Sequence, residues 1–182
     1  MLYIMRHGKT DWNTVHKLQG RTDIPLNDEG RKMVEKVREE NKGLKFDVCY
    51  CSPLMRAKET AELFLKGSTT PIICDERLIE MGFGKYEGIE NSFEIPDCPI
   101  NTLFHNPVDY KPEQGAESLE ELYARTGDFI RTVIEPEQAA GKKILIIGHG
   151  AMNAAIICQI KKIPLEQFWD ACTDNCKLQR LL

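Results

Sequence analysis

Residues 143–160 read Lys-Ile-Leu-Ile-Ile-Gly-His-Gly-Ala-Met-Asn-Ala-Ala-Ile-Ile-Cys-Gln-Ile, and the fold is decided here. Lys143 to Ile147 is a short, unbroken apolar run, the pattern of a strand buried on both faces. Gly148-His149-Gly150 then makes a tight turn, and Ala151 to Ile160 continues as a helix. A buried strand that passes directly into a helix is the unit from which parallel sheets are built.

The same alternation extends in both directions. Leu2-Tyr3-Ile4-Met5 is read as the first strand, followed by a loop from Arg6 to Leu26. Asn27 is a good N-cap, and Asp28 and Glu29 in the first turn favour the helix dipole, so a helix is expected to about Asn41. Phe46 to Cys51 reads as a second strand. Ser52-Pro53 is expected to start the next helix, with Ser52 as N-cap, ending near Gly67. Pro71 to Cys74 is a third short strand. Glu80 to Gly115, scattered with Gly, Pro, Asn and Asp, reads as an excursion of short elements, and a connection this long is usually functional. Ser118 with Glu121 forms a capping box for a helix to about Glu135. Lys177 to Leu182 closes the chain as an edge strand. The expected fold is α/β: a three-layer α/β/α arrangement with a mostly parallel central sheet and helices on both faces. A single domain is expected over residues 1–182, with a capping excursion at about 81–115.

Composition narrows the function classes. The 182 residues are 42% hydrophobic and 29% charged, and the net charge of −4 comes without a long basic run. Nucleic acid and anionic membrane surfaces are therefore not expected as partners. No apolar run is long enough to span a bilayer. The seven cysteines form no zinc pattern and read as reduced thiols, which points to the cytoplasm.

Ligands of open parallel sheets bind beyond the carboxyl ends of the strands. Arg6-His7-Gly8 follows the first strand there, Ser52 to Arg56 the second, and Gly148-His149-Gly150 the late buried strand. Glu80 follows the third. Taken alone, each has an ordinary reading: His7 as a surface or capping histidine, Arg56 as a solvated helix residue, His149 as part of a tight turn, and Glu80 or Glu87 as surface charge. Placed together, they suit phosphoryl chemistry. Arginine forks match phosphate oxygens, a neutral imidazole can attack phosphorus, and a carboxylic acid can protonate a leaving oxygen and later activate water. Such a set needs no metal or other cofactor.

Leu2 to Asn13 (LYIMRHGKTDWN) closely resembles the signature of the histidine phosphatase superfamily, the phosphoglycerate mutase-like proteins. The likeness runs through Leu18 to Asp23, Pro25 to Gly30, Cys51 to Ala57, Leu78 to Gly84 with Glu87-Gly88, Gly115 to Ser118 and Ile146 to Gly150. Only about Ile89 to Glu113 is unmatched. The resemblance implies a phosphohistidine on His7, Glu80 as proton donor, and Arg6, Arg56 and His149 around the phosphoryl group. Asn13, the Gln19-Gly20 backbone and Gly150 are expected at the substrate side. His16 and His105 match no motif histidine. Gly82 departs from the many relatives with aspartate there, which raises the question of how Glu80 is held.

A mutase must retain a doubly anionic substrate and needs extra cations around its distal group. Ile89 to Gln114 holds only Lys111 and His105 as basic residues, and Ala151 stands where mutases tend to have asparagine. Hydrolysis of a small phosphomonoester is therefore the expected activity. Phosphoglycerate mutase chemistry and a non-catalytic phospho-ligand module are the alternatives. Phe93, Ile95, Leu103, Phe104 and Tyr110 are expected to pack onto the domain rather than line a pocket. The physiological substrate is not legible, and the oligomeric state, a homodimer included, stays open.

Overall fold

The computed structural model describes residues 1–182, apart from the side chain of Phe93, so the expectation for that side chain lies outside the described residues. Five strands form one sheet: β1 (Leu2–Arg6), β2 (Val48–Cys51), β3 (Ile72–Cys74), β4 (Ile144–Gly148) and β5 (Gln179–Arg180). Their order is β3-β2-β4-β1-β5. The first four pair in parallel, and β5 pairs antiparallel to β1, so the sheet is mixed. Seven α-helical segments accompany it: α1 (Asp11–Thr14), α2 (Asp28–Glu40), α3 (Met55–Phe64), α4 (Asn101–His105), α5 (Leu119–Phe129), α6 (Glu135–Ala139) and α7 (Gly150–Lys161).

Period-two alternation sorts the central strands into two cores. Met5, Cys49, Cys51, Leu145 and Ile147 face α2 and α3, meeting Val34, Val37, Ala57, Ala61 and Phe64. Leu2, Ile4, Val48, Tyr50, Ile144 and Ile146 face the other way, toward Leu122, Phe129, Ala154, Ala155 and Ile156 of α5 and α7. All five residues of β4 are buried. This two-sided burial is why residues 144–147 alternate no polar positions. Among the described residues, no helix is long and apolar enough to cross a membrane.

Three expectations need correction. Ser52 does not cap α3: its N–H still belongs to the sheet, donating to the Ile147 carbonyl at 3.1 Å. Leu54 takes the N-cap position without a side-chain bond, and the first free N–H, that of Met55, donates to Asp23 Oδ1 at 2.8 Å. The helix after Ser118 does not stop at Glu135. It passes through a π-helical turn, Ile130–Ile134, into α6. Pro136 offers no N–H and its ring crowds the carbonyl four residues back, a conflict that a wider turn relieves. The final strand is only two residues long.

The long excursion is built of short pieces, with 3-10 turns at Gly84–Tyr86, Ser92–Glu94 and Pro107–Asp109 around α4. Leu103 is fully buried and Tyr110 packs against the same core, as expected, whereas Ile95 is exposed.

Candidate active site

Register brings the two histidine loops together. Arg6 pairs with Gly148 in the β1–β4 ladder, and His7 N–H donates to the Gly148 carbonyl at 2.9 Å. The His7 and His149 rings lie 5.1 Å apart between centroids. Arg56, in the first turn of α3, is fully buried beside them. Its Nε approaches His7 Nε2 at 3.3 Å and His149 Nδ1 at 3.2 Å. Its two terminal nitrogens donate to the Thr22 carbonyl at 3.0 Å and the Gly20 carbonyl at 2.7 Å.

These contacts determine which imidazole nitrogens carry protons. His7 Nδ1 lies 2.6 Å from the Gly8 carbonyl, which can only accept, so Nδ1 is protonated and the neutral ring keeps its lone pair on Nε2. His149 Nδ1 faces the Arg56 donor, so its proton sits on Nε2, which is buried without a hydrogen-bond partner. Arg6 Nε and Gln19 Nε2 are likewise buried and unpaired. Gln19 is oriented by Thr10 Oγ1, which donates to Gln19 Oε1 at 2.8 Å. Thr10 itself caps α1 in a reciprocal box with Asn13. The donors of Arg6, Gln19 and His149 at one end of the sheet are suited to an anion.

Burial in the company of Arg56 and Arg6 holds the pKa of His7 well below 6.5, against the opposing bond to Gly8. Burial, then Arg56, His7 and Arg6, does the same for His149. Burial pulls the Arg56 guanidinium down to about 10, opposed by Glu80, Asp23 and Glu87. It stays cationic at neutral pH.

A consequence for stability follows. Unfolding lets both histidines bind protons near pH 6.5, which the folded state refuses until lower pH. Their contribution is therefore present above pH 6.5 and lost as pH falls below it. Each is expected to add a slope of about 1.4 kcal/mol per pH unit within that window. Urea unfolding at successive pH values measures it, and His149→Asn, which cannot titrate, is expected to remove one of the two contributions.

Glu80 is buried, and its carboxylate sits at the start of α7. Oε1 accepts from Met81 N–H at 2.8 Å and Met152 N–H at 3.0 Å, and Oε2 from Ala151 N–H at 3.3 Å. Glu80 thus supplies the cap that α7 lacks from its own N-cap residue, His149. A cleft of about 700 Å³ opens here, lined by Arg6, Asn13, Gln19, Glu80 and Gly150 among others. His7, Arg56 and His149 are not among its lining residues; His7 and His149 adjoin Arg6 and Gly150 in sequence, and all three are buried.

Sequence reasoning missed several members of the site. Asn175 lines the cleft and donates to the His7 carbonyl at 2.7 Å, and the Thr173 carbonyl accepts from Arg6 Nη1 at 3.3 Å. Both lie just before β5, in a stretch without a motif. Phe104 lines the cleft with Phe83 and Trp169, contrary to the expectation that it only packs. The Phe104 and Trp169 rings lie 4.9 Å apart, and Trp169 Nε1 donates to the Leu103 carbonyl at 2.6 Å. Gly20 does not line the cleft. Its carbonyl is turned to Arg56, and a Cβ on it would come within 2.2 Å of Glu87 Oε1.

Glu87 is not loose surface charge. It accepts from Arg21 N–H at 2.9 Å, Thr22 N–H at 2.8 Å, Phe83 N–H at 3.1 Å and the Thr22 hydroxyl. Burial opposes its ionisation, but the bonds from Thr22, Arg21 and Phe83 overcome this and hold its carboxyl below the usual range. It thereby fixes the loop whose carbonyls hold Arg56.

Known proteins share this arrangement of chain. The family described as histidine phosphatase superfamily (branch 1) matches residues 2–182. The protein named uncharacterized phosphatase PhoE of Bacillus subtilis is 33% identical over 177 residues, 94% of this chain and 85% of that protein. The 2,3-bisphosphoglycerate-dependent phosphoglycerate mutase 2 of Gloeobacter violaceus is 29% identical over 172 residues, 92% of this chain and 78% of that one. Among solved structures, YhfR of Bacillus stearothermophilus superposes with a TM-score of 0.86 at 28% identity, covering 96% of this chain and 86% of its own. The chain belongs to the histidine phosphatase superfamily (branch 1), and it is an enzyme of the phosphatase kind.

Proposed function

We propose that the chain hydrolyses small phosphomonoesters through a phosphohistidine on His7 Nε2. The observation that carries this reading is the buried trio of His7, Arg56 and His149. The Gly8 carbonyl fixes the tautomer that leaves the lone pair on His7 Nε2, and the lowered pKa keeps that ring neutral. Arg6, Gln19 and His149 supply donors to the phosphoryl oxygens, with Arg56 beside the nucleophile. Glu80 protonates the leaving oxygen, and its carboxylate then activates the water that attacks the phosphohistidine. Cationic side chains placed where charge develops provide the electrostatic stabilisation of the transfer.

Among the described residues, the excursion adds no lysine or arginine to the cleft lining, which favours hydrolysis over mutase chemistry. The cleft wall carries Phe83, Phe104, Trp169 and Leu18 alongside the basic residues Arg6, Lys9, His16 and Lys17. That wall suits an alcohol portion with apolar surface, and the aromatic pair offers a planar face to it. The substrate is a small phosphorylated metabolite, and the excursion over residues 81–115 contributes Phe83, Asn91, Ser92 and Phe104 to the cleft lining.

The test is phosphate release from a panel of monoesters with EDTA present, alongside conversion of 3- to 2-phosphoglycerate. Monoester hydrolysis is expected to be the more efficient reaction; the reverse ranking would make the chain a mutase. Glu80→Gln is expected to lower kcat/KM about 100-fold for an alkyl phosphate and far less for p-nitrophenyl phosphate, whose leaving group needs little protonation. An equal loss for both esters would remove the general-acid role.

A further inference from the structure

The acid-bearing segment is held by an ion pair that never reaches the cleft. Glu117, just past the excursion, has a buried side chain gripped by Arg125 of α5. Arg125 Nε donates to Glu117 Oε1 at 2.7 Å and Nη2 to Oε2 at 3.1 Å. This is the bidentate geometry in which arginine fixes direction as well as charge. The remaining terminal nitrogen of Arg125 donates to the Arg77 carbonyl at 2.6 Å. Glu117 in turn accepts from Gly82 N–H at 3.1 Å, and its own N–H donates to the Gly82 carbonyl at 2.7 Å. One ion pair therefore pins residues 77 and 82, and Glu80 lies between the two anchors.

Arg21 completes the frame from outside. Its Nη2 lies 3.1 Å from Glu117 Oε1, and its Nε donates to the Glu80 carbonyl at 3.4 Å. The arginine passes directly over Gly82: a Cβ there would stand 3.3–3.5 Å from Arg21 Nε, Cζ and Cδ. The glycine leaves Arg21 room to cross residue 82 and turn its charge to Glu117. Glu117, Arg125 and Arg21 are all absent from the cleft lining. They touch Glu80 only through its main chain and its neighbours.

We propose that Glu117, clamped by Arg125 and Arg21, is the positioning residue for the acid Glu80, acting through the Gly82 main chain. This rests on the reading of Glu80 as the proton donor. The carboxylate must stay within hydrogen-bond reach of the leaving oxygen, and small displacements of such a group cost rate steeply. Loosening residue 82 lets the Glu80 backbone drift while the phosphoryl pocket of His7, Arg56 and His149 keeps its contacts. The loss should therefore fall on leaving-group protonation.

The test compares kcat/KM for phenethyl phosphate and p-nitrophenyl phosphate in wild type, Glu117→Gln, Arg21→Ala and Glu80→Gln. The ratio of the two values is independent of how much protein is folded, so partial unfolding does not move it. Glu117→Gln is expected to lower the phenethyl-to-nitrophenyl ratio about tenfold, and Arg21→Ala, at a half-exposed side chain, about threefold. Should Glu117→Gln fail to fold, Arg21→Ala carries the test. Unchanged ratios in the readable variants, with a lowered ratio in Glu80→Gln, would overturn the positioning role and leave the acid in place. An unchanged ratio in Glu80→Gln itself would overturn both.

Discussion

Replacing His7 by alanine is expected to lower kcat for every monoester by about 10⁴-fold or more, because it removes the proposed nucleophile and leaves only binding and electrostatic stabilisation. The structure makes this a clean test. The His7 side chain meets the Gly8 carbonyl through Nδ1, Arg56 through Nε2 and the His149 ring, while the strand end around it is held by a main-chain bond to Gly148 and by Asn175. The variant should therefore keep its fold, with a far-ultraviolet circular dichroism spectrum unchanged from wild type. Brief incubation with a ³²P-labelled monoester, followed by denaturation, should leave acid-labile, base-stable label on wild type and none on His7→Ala. Turnover retained by the variant, or label surviving in it, would remove His7 from the mechanism.

Arg56→Ala carries the second large effect, and it combines activity with stability. Arg56 contacts both His7 and His149, and it also satisfies the Gly20 and Thr22 carbonyls. Its removal leaves buried acceptors without donors and opens a cavity between α3 and the sheet. A stability loss of about 3–5 kcal/mol is expected. With the cation gone, kcat/KM should fall about 10³-fold. Arg56→Lys separates the two consequences. It restores a charge but cannot reproduce the fork that reaches Gly20, Thr22 and both imidazoles at once, so most of the activity loss should persist. Urea unfolding and steady-state kinetics on the two variants measure the split, and full activity in Arg56→Lys would show that charge alone suffices.

The elements were largely legible because their signals are local. The Asn27 and Ser118 caps sit where expected, since the bond from a capping oxygen to an N–H three residues on depends only on nearby backbone. Ser52 misled because the same Ser-Pro pair that often starts a helix is here still committed to the sheet. The π-turn at Ile130–Ile134 and the continuation to Ala139 are not legible, because a π-turn before Pro136 leaves no distinctive residue pattern. In the candidate site, His7, Arg56, His149 and Glu80 could be found from position after strands and from family motifs. Asn175 and Trp169, which line the cleft, and Thr173, which holds Arg6, could not, because they come from a segment with neither periodicity nor motif. Glu87 and Glu117 were visible as motif letters, but Arg21 and Thr22, which bond Glu87, and Gly82 and Arg21, which bond Glu117, lie far from them in the chain.

The sequence by itself determined the order of strands and helices, the two-sided burial of residues 144–147, and the placement of both histidines at strand ends. Steric limits on the backbone and the alternation of side chains make these properties of short windows. Only the tertiary structure decided how His7 works as proposed. The β1–β4 register set the distance between the two rings, Arg56 arrived from α3 to face both, and the Gly8 carbonyl chose the protonated nitrogen. Those contacts form when burying the two cores brings distant segments together, and proton placement follows from which donor meets which acceptor there.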